Sequence, residues 1–178
     1  GSHWCDTVQF ISGRKIVEVL ADFAIVHPIR KSNRNGTATF SSSDTPPEYD
    51  DKPVKTEDYA TVLLRFDDGS RGSFTVSQVS AGRKNRLTFE VNGSERSLAW
   101  DQETPQQLWI GHRDKPNQLL SDDPTLLNPE AAAAVHFPGG HIEGWPDAFK
   151  NMMANFYSYL RDGKQPGVDP FNFATFYD

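Results

Sequence analysis

Apolar and polar positions alternate through residues 58–112, and tight-turn signals punctuate that alternation. Tyr59 to Phe66 and Gly72 to Val79 are rich in β-branched and aromatic residues, with Asp67-Asp68-Gly69-Ser70 between them. Asp-Gly in that position predicts a hairpin, because a primed turn needs residues that accept positive φ. Arg86 to Val91 alternates in the same way, turns at Asn92-Gly93 and returns as Arg96 to Trp100. Gln107 to Ile110 adds a short strand. Five strands within about 55 residues predict one antiparallel sheet with one buried face.

The flanking segments supply the cover. Trp4, Val8 and Ile11 recur at helical spacing, Ser2 is suited to a cap and Gly13 to a left-handed stop, which predicts a short amphipathic helix. Lys15 to Pro28 is dense in β-branched residues and ends at proline, as a long strand would. From Ile29 to Glu57 the composition turns to Ser, Asn, Asp, Pro and Lys, with Ser41-Ser42-Ser43 and Pro46-Pro47 inside, and reads as a long loop. Arg113 to Gly140 reads as irregular, with one helical turn near Ala131 to Ala134. Phe149, Met152, Met153, Phe156, Tyr157 and Leu160 then mark one helical face, opened by Pro146 and closed by Asp162-Gly163. Two helices on one face of an antiparallel sheet make an α+β layer.

Composition narrows the possibilities. The chain has 178 residues, a net charge of -6 and a single cysteine, Cys5. It is long enough for one ordinary domain and has no means of forming an internal disulfide, which fits a cytoplasmic setting. The acidic balance offers no field for a phosphate backbone, and no apolar run approaches the roughly 20 residues of a membrane span, so neither nucleic acid nor membrane is an expected partner. No Met opens the chain, and it stops inside the aromatic-rich Phe171 to Asp178. It therefore reads as a fragment, truncated at both ends. Gly1-Ser2-His3 also matches the scar of a cleaved tag.

Three stretches carry candidate chemistry. His3 opens the first helix, where the partial positive charge of the helix end favours a neutral imidazole able to accept a proton. Asp6, one turn on, is placed to orient that ring or to favour the helix dipole. A tag remnant or a solvent-facing first-turn histidine is the plainer explanation of His3. Phe137-Pro138-Gly139-Gly140-His141-Ile142-Glu143-Gly144-Trp145-Pro146 is a glycine-rich loop that delivers polar and aromatic groups to a helix start, as a ligand pocket or a simple connection would. His136, His141 and Glu143 do not follow a strong zinc spacing, and no metal site is expected. Arg83, Lys84 and Asn85 form a basic turn able to grip hydroxyls, phosphates or carboxylates, or merely to face solvent. Trp4, Trp109 and Trp145 are available for stacking on sugar rings, while Trp100 suits the core. No Gly-x-Gly-x-x-Gly, Walker-type loop or Gly-x-Ser-x-Gly is present.

In order and spacing, these segments resemble the C-terminal domain of the glucose-fructose oxidoreductase/inositol dehydrogenase (Gfo/Idh/MocA) family. Gly1-Ser2-His3-Trp4-Cys5-Asp6 is similar to the family's Gly-x-His-x-x-Asp helix start, and Thr56-Glu57-Asp58-Tyr59-Ala60 with the glycine-containing hairpin is similar to its sheet. Gly140-His141-Ile142-Glu143-Gly144, the helix beginning at Asp147-Ala148-Phe149 and Phe173-Ala174-Thr175-Phe176 resemble a sugar-dehydrogenase-like branch.

The resemblance implies an oxidoreductase C-terminal, dihydrodipicolinate-reductase-like α+β domain: a single, largely antiparallel, open-faced sheet with helices packed on one face, occupying residues 1–178. It implies a two-domain NAD(P)-dependent enzyme acting on a sugar, cyclitol or related polyol. The Rossmann domain, with its Glu-Lys-Pro lysine, would lie upstream, as would an aspartate four residues before the histidine. His3 is then the one catalytic-motif residue present. Trp4, Asp6, Arg83, Lys84, Asn85, His141 and Trp145 are expected to face substrate, and NAD or NADP to be bound by the full-length protein but not by this chain alone. Homo-oligomers through the open sheet face are expected. The alternative is a non-catalytic, β-rich carbohydrate-binding or assembly module.

Overall fold

A computed structural model describes residues 2–34 and 48–165. The chain divides into two compact units, Gly1–Arg83 and Lys84–Asp178. The α+β class and the antiparallel, open-sheet character are as expected. The single sheet is not: the described strands form three separate antiparallel ladders, two in the first unit and one in the second. Alternation identifies strands but not which edges join.

The first unit begins with helix α1 (Ser2–Ser12). Ser2 is its first residue rather than a cap outside it, and Gly13 ends it at φ +66°, donating to the Gln9 carbonyl. The Gln9 side chain then accepts the Ile16 amide at 2.9 Å, fixing the entry into β1 (Ile16–Ala24). Strand β1 pairs with a strand far along the chain, so β2 (Ile29–Asn33) and β3 (Tyr49–Pro53) come between them in sequence. That central strand is β4 (Tyr59–Phe66), and β5 (Arg71–Ser77) flanks its other edge, giving the order β1-β4-β5. The β4–β5 connection is the expected hairpin, with Gly69 at φ +85° and Asp68 accepting both the amide and the hydroxyl of Ser70.

Period-two alternation places Val62, Leu64 and Phe66 on the buried face, where Val8 of α1 packs on them together with Ile16, Ala21 and Phe74. On the opposite face Leu20 pairs with Leu63, which is 51% exposed, beside a Glu18–Arg65 ion pair at 2.8 Å and the Thr61 and Thr75 hydroxyls. One face is therefore covered by the helix and the other is open.

The stretch expected to be a loop from 29 to 57 instead contains the β2–β3 ladder, in register from Ile29 opposite Pro53 to Asn33 opposite Tyr49. Arg34 anchors its far end by ion pairs to Asp50 and Glu48. Ser41 to Ser43 and Pro46-Pro47 lie outside the described residues.

The second unit is a meander of β6 (Thr88–Asn92), β7 (Arg96–Asp101), β8 (Gln107–His112) and β9 (Gln118–Ser121). Trp100 is half-buried, stacks on Phe89 and donates its indole N–H to the Pro105 carbonyl at 2.9 Å. The β6–β7 turn does not place Gly93 at positive φ; the Arg113 guanidinium spans the Ser94 and Gly93 carbonyls instead. Beyond β9, a 3-10 turn at Pro124–Leu126 and helix α2 (Pro129–Ala132) are capped by Asp123 and Asn128, so the segment is less irregular than expected. Helix α3 (Trp145–Arg161) follows the expected pattern, with a proline in its first turn, Asp147 accepting the Gly144 amide, and Gly163 at φ +69° after its end.

Candidate functional site

The sequence-predicted site residues are divided between the two units. His3, Trp4 and Asp6 occupy the first turns of α1, with His3 and Asp6 exposed and Trp4 half-buried. Positions three apart are neighbours on a helix surface, so α1 brings the His3 and Asp6 side chains to adjacent places. Arg83 closes the first unit, while Lys84 and Asn85 open the second; all three are exposed. Gly82, at φ +77°, turns the chain there, and the Asn85 carbonyl accepts from the Gln102 side chain at 3.2 Å.

His141 and Trp145 belong to a loop that is tied down despite its glycines. The Glu143 carboxylate accepts the His136 and Phe137 amides at 2.7 and 3.0 Å, both through Oε1. Asn151, on α3, donates to the Ala134 carbonyl at 2.7 Å and has Oδ1 2.6 Å from His136 Nε2. A carbonyl accepts only, so the amide orientation of Asn151 is set, and His136 must donate from Nε2. The same reasoning applies to His141, whose Nδ1 is 3.2 Å from the Pro138 carbonyl oxygen. Nδ1 donates, and in the neutral ring Nε2 is left as the acceptor. Gly140 makes this turn possible at φ +84°. Trp145, 71% exposed, stacks on Phe149 with ring centroids 5.7 Å apart. An aromatic platform and an imidazole acceptor are thus carried by one loop.

The structure engages Glu143 Oε1 with two main-chain amides, His136 Nε2 with Asn151 and His141 Nδ1 with the Pro138 carbonyl. Among the described residues no cluster of three metal-ligating groups occurs. Among them, too, no helix is long and apolar enough to cross a membrane.

Asp58 was not anticipated as a special residue. It is 4% exposed, and its carboxylate accepts the Val26 amide at 2.7 Å, the His27 amide at 3.1 Å and the Arg30 guanidinium at 3.1 Å. The Val26 amide foremost, opposed by desolvation and aided by His27 and Arg30, holds the carboxyl below the usual carboxylate range. Arg30, Lys55, Glu57, Asp58 and Gln78 line a shallow polar cleft of about 290 Å³ beside it. None of the sequence-predicted site residues lines that cleft. An acid just before an alternating strand reads as a turn residue, and only the fold brings Val26 to it.

The model of the GFO/IDH/MocA C-terminal domain matches residues 1–99. Levoglucosan dehydrogenase from Pseudarthrobacter phenanthrenivorans is 24% identical over 111 residues, 61% of this chain and 27% of its own length. An oxidoreductase domain protein from Kribbella flavida has a similar structure, with a TM-score of 0.72 and 26% identity over 95% of this chain and 43% of its own. An inositol dehydrogenase homolog from Azotobacter vinelandii, solved with NADH and myo-inositol, is 31% identical with a TM-score of 0.54 over 60% of this chain and 29% of its own. The chain spans about a quarter of the length of the curated relatives it matches. With over half of its residues matched by that domain model, and the expected helix and hairpins within the matched part, this chain belongs to the GFO/IDH/MocA family, in the region of its C-terminal domain.

Proposed function

We propose that the chain is the C-terminal substrate-binding and oligomerisation domain of a cytoplasmic, NAD(P)-dependent oxidoreductase acting on a sugar, cyclitol or related polyol, with a Rossmann domain preceding it. The observation that carries this reading is the domain match over residues 1–99, which includes His3 at the start of α1. The relatives solved or named with levoglucosan and with myo-inositol support the substrate class.

The sequence contains no glycine-rich dinucleotide loop, so these residues do not fit the phosphates of NAD(P) and the preceding domain would hold it. A nicotinamide, when bound there, supplies hydride exchange with a carbinol carbon. In this chain His3 is the proton carrier for the substrate hydroxyl, exposed at a helix start with Asp6 one turn away. Trp4 and Arg83 in the first unit, and Lys84, Asn85, His141 and Trp145 in the second, are the further residues proposed for contact with substrate. The open face of β1-β4-β5, with Leu20 and Leu63 at its centre, is the surface that meets another subunit.

The test is to assay the full-length parent protein with NAD+ or NADP+ and either myo-inositol or levoglucosan, following nicotinamide absorbance. Polyol-dependent reduction supports the reading; no reduction in any combination overturns it. The exposed Trp145–Phe149 stack favours one competing account, a carbohydrate-binding module without chemistry. That account requires sugar binding by the 178-residue chain alone. Calorimetry detecting no such binding would remove it.

A further inference from the structure

We propose that Glu143 and Asn151 are positioning residues for the polyol site, holding residues 134–144 in one conformation so that His141 presents Nε2 to a substrate hydroxyl and Trp145 presents its ring. This rests on the reading of His141 and Trp145 as substrate-facing. A segment with Pro138, Gly139, Gly140 and Gly144 loses much conformational entropy when a ligand orders it. Here the ordering is done in advance by side chains. Glu143 closes the segment on itself through two amides six and seven residues earlier. Asn151 then fastens its beginning to α3 through both ends of one carboxamide, to the Ala134 carbonyl and to the His136 ring. At the other end Asp147 accepts the Gly144 amide at 3.0 Å. Between those ties, the His141 amide and Nδ1 both reach the Pro138 carbonyl, at 3.3 and 3.2 Å, which aims the acceptor nitrogen away from the backbone.

Both amides meet the same Glu143 oxygen, so the geometry needs an acceptor and not a charge. Glutamine at 143 supplies that oxygen and alanine does not. This separates the proposed role from that of a metal ligand or a general base, either of which glutamine would abolish.

In the full-length enzyme, with myo-inositol or levoglucosan as the probe polyol, Glu143→Ala and Asn151→Ala, each of which removes two hydrogen bonds from the segment, are expected to raise the polyol KM about tenfold. The cofactor KM and kcat should stay near the parent values, and Glu143→Gln should recover most of the polyol KM. In the 178-residue chain, amide exchange at His136 and Phe137 should accelerate in Glu143→Ala and not in Glu143→Gln. An unchanged polyol KM in Glu143→Ala and Asn151→Ala, with His141→Ala raising it, overturns the positioning role alone. Parallel losses of kcat and cofactor affinity in both Glu143 variants also overturn it. If His141→Ala and Trp145→Ala leave the polyol KM unchanged, or if neither polyol is turned over, the substrate-site reading fails and the proposal falls with it. The exchange measurement still reports the latch if Glu143→Ala is too unstable to assay, because unprotected His136 and Phe137 amides in the parent chain contradict it.

Discussion

The Asp58 carboxylate receives the Val26 amide at 2.7 Å, and the two residues lie 32 positions apart in sequence. Asp58 lies just before β4, the central strand of its sheet, and Val26 lies just past the end of β1. The same carboxylate holds His27, which leads into β2, and Arg30 within that strand, while the Asp58 amide and carbonyl join the Ala24 carbonyl and the Gln78 amide. One buried side chain therefore joins the ends of three strands. Removing it leaves the Val26 and His27 amides without that acceptor and empties the buried position at the strand ends.

Asp58→Ala is expected to lower the melting temperature by several degrees, and Asp58→Asn by less, since one acceptor oxygen survives. The charge makes a second, pH-dependent contribution. Folding lowers the Asp58 pKa, so the unfolded chain binds more protons through the range below about 4, and stability rises with pH there. The contribution is complete above the ordinary carboxylate pKa and is lost as pH falls through the lowered folded value. Acid titration of thermal stability should therefore be shallower in Asp58→Asn than in the parent; identical slopes would remove Asp58 from the acid response.

Leu63 and Leu64 are adjacent in β4 and face opposite ways, 51% and 3% exposed. Leu64→Ala opens a cavity under α1 and should cost about 2–5 kcal/mol in chemical denaturation. Leu63→Glu leaves that core intact but puts a charge beside Leu20 on the open face. If that face joins subunits, light scattering should show an oligomer in the parent and a smaller, still folded species in the variant. A parent that is monomeric at high concentration overturns the assembly reading.

Gly69 sits at φ +85° in the β4–β5 turn, and no atom lies within 4 Å of the place a Cβ would take, so space is not what restricts it. Backbone conformation is. Gly69→Ala should destabilise by about 1–2 kcal/mol, the cost of the left-handed region for an L-residue, without altering the sheet's spectrum. A neutral substitution would mean that the turn changes type readily.

Much of this architecture is legible in the chain because the relevant strands are half-buried. Val62, Leu64 and Phe66 need a core, and their spacing discloses one face of a strand. Strands β2 and β3 need none: Arg30 stands opposite Lys52, Lys31 opposite Asp51 and Ser32 opposite Asp50, and so polar a ladder has the composition of a loop. Gln118–Ser121 is exposed throughout and joins the second unit's sheet by its backbone, with the Gln118 side chain 2.9 Å from the His112 ring. The division into three ladders is illegible for a different reason, since alternation carries no information about edges. Among the candidate residues, residue type and position single out His3, His141 and Trp145. Val26 and His27 meet Asp58, and His136 and Phe137 meet Glu143, through main-chain amides, which every residue but proline possesses and no sequence marks.

His3 provides the sharpest test of the proposed chemistry. It stands at the exposed start of α1, and Val8, further along the same helix, is packed on Val62, Leu64 and Phe66. Truncating His3 therefore removes an imidazole without touching the packing that holds the helix. If that imidazole moves the hydroxyl proton, His3→Ala in the full-length enzyme should lower kcat by about 10²–10⁴, the usual contribution of a general acid–base group. Cofactor affinity should remain within about twofold, because the group meets substrate and not nucleotide. The pH dependence of kcat/KM should also lose its acidic limb, which a positioning defect would preserve. Equal losses in turnover and cofactor affinity, or an unaltered pH profile, would place the proton carrier elsewhere in the enzyme and leave His3 an ordinary first-turn residue.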